Sequence, residues 1–145
     1  MKSTKASDIK RDWHLIDLEG KILGRSSTEI SNLLMGKSKP YFVKNLDCGD
    51  FVVVINSKKV KVTGNKNQGK IYFRHSGYPG GFKKETFADL LKRNPNEIIR
   101  HAVKGMLPNN RLKDKMLKRL NVFEGSKHTY EDKIKNQKSN IKNTN

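Results

Sequence analysis

The sequence predicts an α/β fold, and three stretches support that prediction. Residues 51–55 form a continuous apolar run rich in valine, which is typical of a central parallel strand covered on both faces. Residues 13–18 form a short, mostly apolar run that is followed by a turn at Gly20. Between these runs lies a stripe at helical spacing that ends before Gly36 and consists of Leu23, Ser27, Ile30 and Leu34. The opening unit is therefore strand, helix, strand, a crossover that is right-handed in nearly all cases.

A capped helix is predicted to begin at Pro95. The side chain of Asn94 can accept a hydrogen bond from a first-turn amide, and the Glu97 carboxylate can reach back to the cap. Proline is favourable at the first helical position, because the backbone N–H that it lacks would have no acceptor within the helix. Gly105 should permit a C-terminal stop and Pro108 prevents continuation, so the chain should turn between these two residues.

A second helix is predicted over residues 111–120, with a cap at Asn109 or Asn110. One of its faces is apolar and consists of Leu112, Met116, Leu117 and Leu120. Another face is cationic and consists of Arg111, Lys115, Lys118 and Arg119. Stacked like charges repel, but they become favourable when an anion lies along them. A solvated basic face is the alternative interpretation.

Three further elements complete the predicted order. Residues 70–75 form a third candidate strand, residues 86–92 a helix, and residues 121–123 a short last strand. Helices from both halves of the chain would then cover the sheet.

The composition indicates one domain with a polyanionic partner. A chain of 145 residues with 34% hydrophobic content can bury a real core. Its formal charge of +17, from 31 Lys and Arg against 14 Asp and Glu, would strain a compact monomer by self-repulsion. Nucleic acid is therefore a better candidate partner than a membrane.

The chain contains no sign of membrane insertion or export. No apolar run approaches the roughly 20 residues of a membrane span, and the polar start lacks the hydrophobic core of a signal peptide. Cys48 has no partner in the chain, which excludes a disulfide framework and indicates a reducing compartment. We therefore expect a cytoplasmic protein in which Cys48 is a small packed residue.

A basic loop lies between Ser57 and Ile71, and it contains no acid. Its spacing of Gly64, Gly69 and Lys70 matches a phosphate-binding loop, but Ile71 replaces the hydroxyl residue and begins a predicted strand where a helix is required. The favoured interpretation is a surface that holds a phosphate backbone. Its cations are Lys58, Lys59, Lys61, Lys66 and Lys70.

A second loop surrounds His75 with glycines, an aromatic ring and cations. Glycines let a backbone approach a ligand closely, aromatic rings can stack on unpaired bases, and cations bind phosphates. An RNA contact is therefore predicted here, with an ordinary surface loop as the alternative. The cationic and aromatic members are Arg74, Tyr78, Lys83 and Lys84.

Other candidate residues give weaker signals. The histidines have no Cys or carboxylate at ligand spacing, so no metal site is proposed. Arg25 is predicted to lie near the start of the first helix, where the dipole disfavours a cation, so it should hold either an external phosphate or a salt bridge. Trp13 is expected to be core rather than a stacking platform.

The stretch after the first capped helix resembles a known family. The resemblance rests on Val103, Lys104, Gly105, Met106, Leu107, Pro108, Leu112, Leu120, Val122, Gly125 and His128. It continues upstream through Arg11, Asp12, Trp13, Asp17, Gly20, Leu23, Gly24, Arg25, Gly49, Asp50, Asn56, Val62, Thr63, Gly64, Asn65, Lys66, Tyr72, His75, Gly77, Gly80 and Gly81. In this order these residues are similar to the ribosomal protein L13 family of the large subunit.

The resemblance implies a fold and a function. It implies a three-layer α/β/α arrangement around a small, mainly parallel four-stranded sheet. It also implies a non-enzymatic protein without a cofactor that binds ribosomal RNA early in subunit assembly, beside other large-subunit proteins and without forming a homo-oligomer. The residues expected to bind RNA are Arg25, Lys37, Lys39, Lys58, Lys59, Lys61, Lys66, Lys70, Arg74, His75, Tyr78, Lys83, Lys84, Lys104, Arg111, Lys115, Lys118 and Arg119.

Residues 1–10 are expected to be a flexible arm, residues 11–126 the L13-like domain, and residues 127–145 a basic tail that is disordered in the isolated protein. Two other functions stay open at this point. One is a free regulator that binds messenger RNA, and the other is a small nucleotide-dependent enzyme that uses the Gly64 loop.

Overall fold

The computed structural model describes residues 5–142, with side chains up to residue 137. Its strands are β1 (Trp13–Asp17), β2 (Phe51–Ile55), β3 (Ile71–His75), β4 (Phe82–Thr86) and β5 (Leu120–Val122). Its helices are α1 (Leu23–Met35), α2 (Lys66–Gly69), α3 (Phe87–Arg93), α4 (Pro95–Met106), α5 (Lys113–Lys118) and α6 (Glu131–Lys142). Short 3-10 turns occupy Ala6–Asp8 and Ser57–Lys59.

The fold is mixed α/β, as expected, but the parallel sheet has three strands in the order β1-β2-β5. Trp13 pairs with Phe51 and Val52 pairs with Leu120. The expected fourth strand, β3, instead pairs antiparallel with β4 in a separate two-stranded sheet. Most side chains of β3 are exposed, whereas a strand inside a parallel sheet must be covered on both faces. The four-stranded count is therefore corrected.

One face of the parallel sheet carries the main core. Alternate strand residues such as Val52 and Val54 point into it, because successive side chains of a strand point to opposite faces. The predicted stripe of α1 packs there through Leu23, Ile30 and Leu34, with Ser27 buried among them. α3 and α4 contribute Phe87, Leu90, Ile98, Ile99 and Val103 to the same core.

The other face of the sheet is covered by the C-terminal segment. Ile134 of α6 is only 6% exposed and packs with Val53 and Ile55, while Trp13 and Tyr130 flank it. The Trp13 ring stacks on Phe51 with centroids 4.4 Å apart. Trp13 is therefore partly buried and packs against the smaller core.

The structure differs from the expectation of a disordered tail. Residues Glu131–Lys142 form a helix, and Ile134 attaches this helix to the sheet because its side chain packs with Val53 and Ile55. Residues 1–4 of the expected arm and residues 143–145 of the expected tail lie outside the described residues. The division into arm, domain and tail stays a prediction.

The predicted caps are correct at two of the four helix ends considered. Gly36 ends α1 in a left-handed conformation with φ of 73°, and Asn94 accepts a hydrogen bond from the Glu97 amide at 3.4 Å. Asn110 accepts from the Leu112 amide at 3.2 Å, but α5 begins only at Lys113 and its N-cap is Leu112 without a side-chain cap bond, so the predicted cap at Asn109 or Asn110 is wrong. Gly105 does not stop α4. Instead, the helix continues to Met106 and ends where Leu107 turns to extended backbone and buries its side chain.

Candidate nucleic-acid interface

Two of the residues expected to bind RNA point into the protein. Arg119 is only 6% exposed, because it follows α5 and its guanidinium reaches back under the end of α1. It donates to Asp47 Oδ1 at 2.5 Å, to the carbonyl of Leu34 at 3.1 Å and to that of Asp50 at 3.3 Å. The expected outward position of Arg119 is therefore wrong, because its donors are already used by internal acceptors.

Lys39 is the second of these residues. Its ammonium pairs with the buried carboxylate of Asp50 and donates to the carbonyl of Lys10 at 2.5 Å. Asp50 also accepts the Asp12 amide at 3.0 Å and lies 3.0 Å from the His14 ring nitrogen Nε2. Lys39 thus compensates a buried negative charge, which leaves it less free than an exposed lysine to bind a phosphate.

Gly36 and Gly49 allow this charged cluster to form. A Cβ on Gly49 would collide with the carbonyl of Leu34 and would lie 2.7 Å from the Arg119 guanidinium. A Cβ on Gly36 would collide with the backbone carbonyl of Cys48. The end of α1 therefore approaches residues 48–50 backbone to backbone, and Arg119 bridges both segments.

The cluster makes stability depend on pH. Burial alone would raise the pKa of Asp47 and of Asp50, but hydrogen bonds and opposite charge outweigh it and hold both pKa values below their ordinary range. The partners are chiefly Arg119 for Asp47, and His14, the Asp12 amide and Lys39 for Asp50.

We expect acid to destabilise the protein through these carboxylates. A carboxyl whose pKa is lower in the folded state stabilises fully above its unfolded pKa of about 4, and this stabilisation disappears as the pH falls through the folded value. The melting temperature should therefore fall steeply below about pH 4. Asp50→Asn should melt lower at neutral pH and show a flatter acid limb, measured by circular dichroism. An unchanged acid limb in this variant would contradict the assignment.

α5 presents an exposed cationic face. Arg111, Lys115 and Lys118 are exposed and form no ion pair within residues 5–142. The helix itself is shorter than predicted, but its opposite side packs on the body as expected, with Met116 buried and Leu117 partly buried. The element is therefore two-sided, and its cations are free to meet an anion.

The basic loop divides into paired and unpaired cations. Lys58 pairs with Glu124 at 2.6 Å and Lys59 with Glu19 at 2.5 Å, both exposed. Lys61 and Lys66 are exposed without an ion pair among the described residues. Strand β3 begins directly after Lys70, so no long helix follows the glycines as a nucleotide-binding loop requires.

A cleft of about 880 Å³ joins part of this loop to the start of α1 and the end of α4. Arg25, Lys66 and Lys70 line it, together with His101. Arg25 forms no salt bridge within the described part of the chain, so the intramolecular alternative for its role has no support. The cleft collects three predicted RNA-binding cations from segments that are distant in sequence.

The β3–β4 hairpin carries the remaining predicted cluster. Lys83 and Lys84 are exposed, and Arg74 lies 3.9 Å from Glu85, whose carboxylate is held more closely by Arg93 at 2.9 Å. The loop between the strands turns at Gly77 and Gly80, both at positive φ. His75 Nδ1 accepts the Gly77 amide at 2.9 Å, and Tyr78 is exposed.

Sequence reasoning missed two residues of this hairpin. Phe73 and Phe82 are 66% and 57% exposed, and their rings stack with centroids 5.6 Å apart. The only available signal was two phenylalanines flanking a glycine-rich loop, a pattern that core residues share. Lys37 and Lys104 are exposed, as RNA contact would require, but outside these clusters.

Within residues 5–142 no group of three or more His, Cys, Asp or Glu residues is placed to hold a metal ion. The helices of this same part of the chain are too short or too polar to cross a membrane.

Comparison with known proteins decides the family. The model of the family described as Ribosomal protein L13 matches residues 11–129. The chain belongs to the ribosomal protein L13 family. A relative from Dehalococcoides mccartyi, named large ribosomal subunit protein uL13, is 58% identical over 128 residues, which is 88% of this chain and 90% of the relative.

Two further relatives carry the same name. The Geobacter sulfurreducens protein is 48% identical over 134 residues, covering 90% of this chain and 94% of its own. The Thermosipho africanus protein is 52% identical over 126 residues, covering 87% and 85%. Because L13 proteins are ribosomal proteins, the expected resemblance and the expectation of a non-enzymatic protein are confirmed.

Proposed function

We propose that this L13 protein binds large-subunit ribosomal RNA through several separate basic surfaces and supports assembly of the subunit. The observation that carries the proposal is the placement of cations that lack carboxylate partners within residues 5–142. They lie on α5, along the cleft and on the hairpin, and include Arg25, Lys66, Lys84, Arg111, Lys115 and Lys118. Cations held apart by a folded body suit a folded RNA, whose phosphates run in several directions.

The proposal also names the setting. The protein acts in the cytoplasm as part of the large subunit, beside other large-subunit proteins, as one copy and without a cofactor. The two cations that are used internally, Lys39 and Arg119, position the surfaces from inside. Lys58 and Lys59 contact RNA after exchanging their exposed carboxylate partners for phosphates. This exchange costs little free energy, because exposed ion pairs contribute little to stability.

Two measurements test this function. The logarithm of affinity for large-subunit RNA should fall with log salt by about 0.7 to 0.9 per phosphate neutralised, and a slope shallower than about −2 would mean that the surfaces are not used together. Sedimentation of the protein with large subunits distinguishes the proposal from a free messenger-RNA regulator, which would stay at the top of the gradient.

We expect Lys115→Ala to reduce the salt slope by about one and to weaken RNA binding without sequence preference, because one phosphate contact is lost. The melting temperature should stay the same or rise, since repulsion along α5 is relieved. Asp114→Ala is the matched variant on the same helix. It removes a negative charge and should tighten binding. If neither variant changed affinity, α5 would be solvated surface and the RNA site would lie on the cleft and hairpin.

A further inference from the structure

Exposed apolar side chains concentrate on the β3–β4 hairpin. Six large hydrophobic residues are exposed in the described chain, and four of them belong to this hairpin and its loop. These are Ile71, Phe73, Tyr78 and Phe82. Scattered apolar residues are normal on a surface, but a contiguous set with stacked rings indicates a binding face.

The two faces of the hairpin have different roles. Opposite residues of an antiparallel pair share a face, so Tyr72 lies with Glu85 on one side and Phe73 with Lys84 on the other. Tyr72 packs edge-on against His101 of α4 at 5.3 Å, and Glu85 pairs with Arg93 of α3. The first side is therefore fixed to the body.

The second side is open. Phe82 lies opposite His75, two pairs along from Phe73 and Lys84, so the two rings meet diagonally on this face. Lys84 lies on the same face, whereas Lys83, which pairs with Arg74, lies on the opposite side. We call Phe73, His75, Phe82 and Lys84 the outer face.

The charge of the outer face identifies its occupant. A nucleotide offers a π-face to an aromatic ring and a phosphate to a neighbouring cation, which matches the stacked rings of Phe73 and Phe82 beside Lys84. Stacking on a phenyl ring also requires no hydrogen-bond partner, and the outer face offers few. The arrangement of rings and cations on one strand pair is that of a stacking platform.

We infer that the outer face binds unpaired nucleobases of RNA by stacking on Phe73 and Phe82, with Lys84 holding the adjoining phosphate. The inference rests on the proposed RNA-binding function and specifies which part of the RNA this face contacts. It assigns this face to single-stranded loops or bulges, and the cations of α5 to the backbone of folded RNA.

The test compares an oligouridine with a blunt RNA duplex of the same length. Phe73→Ala should weaken oligouridine binding by about five- to 150-fold, because one stacked base is lost, and should leave duplex binding unchanged. The salt slope should not change in this variant, since no charge is removed. Lys84→Ala should instead reduce the slope by about one. Leu15→Ala, at an exposed apolar residue of β1, is the control.

Tryptophan substitution provides a direct readout that does not depend on loss of binding. Phe73→Trp should retain affinity, and its fluorescence should be quenched by oligouridine and not by the duplex. The wild-type signal of Trp13, which is partly buried and stacks on Phe51 and Tyr130, supplies the background. The melting temperature of each variant should lie close to that of the wild type, because both rings are exposed.

The outcomes separate two failures. If the wild-type protein bound neither large-subunit RNA nor oligouridine, the proposed function would fail. If it bound large-subunit RNA with a steep salt slope while Phe73→Ala and Phe82→Ala bound oligouridine normally, only the stacking inference would be overturned. Normal RNA binding by these variants together with poor incorporation into large subunits would assign the outer face to a neighbouring protein.

Discussion

Replacing Arg119 with methionine should destabilise the protein by about 3 to 5 kcal/mol, because removing one partner of a buried ion pair leaves the other charge uncompensated. Asp47 would lose its closest cation, and the carbonyls of Leu34 and Asp50 would lose a donor. Methionine fills a similar volume, so the loss reports on charge and hydrogen bonding rather than on a cavity. Urea unfolding followed by circular dichroism measures it.

Arg11→Ala is the matched control for this prediction. Arg11 reaches the same Asp47 carboxylate at 3.4 Å but is one-third exposed, so its removal should cost no more than about 1 kcal/mol. Folded Arg119→Met protein at low temperature should bind RNA with the wild-type salt slope. A salt dependence of RNA affinity whose slope is reduced by about one would instead show that Arg119 contacts a phosphate.

Removing residues 127–145 should lower the melting temperature substantially. Ile134 is nearly fully buried against Val53 and Ile55, and its truncation to alanine alone should cost about 2 to 5 kcal/mol through lost transfer energy and a cavity. At roughly 3 °C per kcal/mol for a chain of this size, Ile134→Ala should melt about 6 to 15 °C lower. The full deletion should cost at least as much, since Tyr130 is lost as well.

Asn136→Ala, at an exposed position of the same helix, controls for general effects on α6 and should change the melting temperature by no more than about 1 to 2 °C. If the deletion melted within a few degrees of the wild type, α6 would contribute little to the fold, and the tail would behave as its composition alone suggests.

The elements that could be read from the sequence are those whose side chains make a one-sided or continuous pattern. β2 is buried on both faces and α1 on one. Their apolar residues therefore follow a continuous run and a helical spacing that can be recognised in the sequence. The Asn94 cap and Pro95 act within a few residues and need no distant partner. Such local signals placed the strands of the parallel sheet within one residue at most boundaries.

The rest depended on partners that are distant in sequence. β4 has no apolar pattern because its pairing with β3 leaves it largely exposed. α6 has few apolar residues, and its order comes from a sheet face about 80 to 120 residues earlier in the chain. Arg119 and Lys39 are chemically the same as surface cations, and only the positions of Asp47 and Asp50 decide that they point inward.

The place of β5 in the sheet also determines when the fold can be completed. β5 pairs with β2 across a separation of about 70 residues, and Arg119 at its edge joins residues 34, 47 and 50. Such non-local contacts slow folding, because the entropy of closing a long loop is lost before the contacts form. During synthesis, a chain that ends before residue 119 would contain β1, α1 and β2 with Asp47 lacking its main cation and one edge of β2 unpaired. The unpaired edge of β2 should therefore stay exposed to other chains, and prone to aggregation, until β5 has been made.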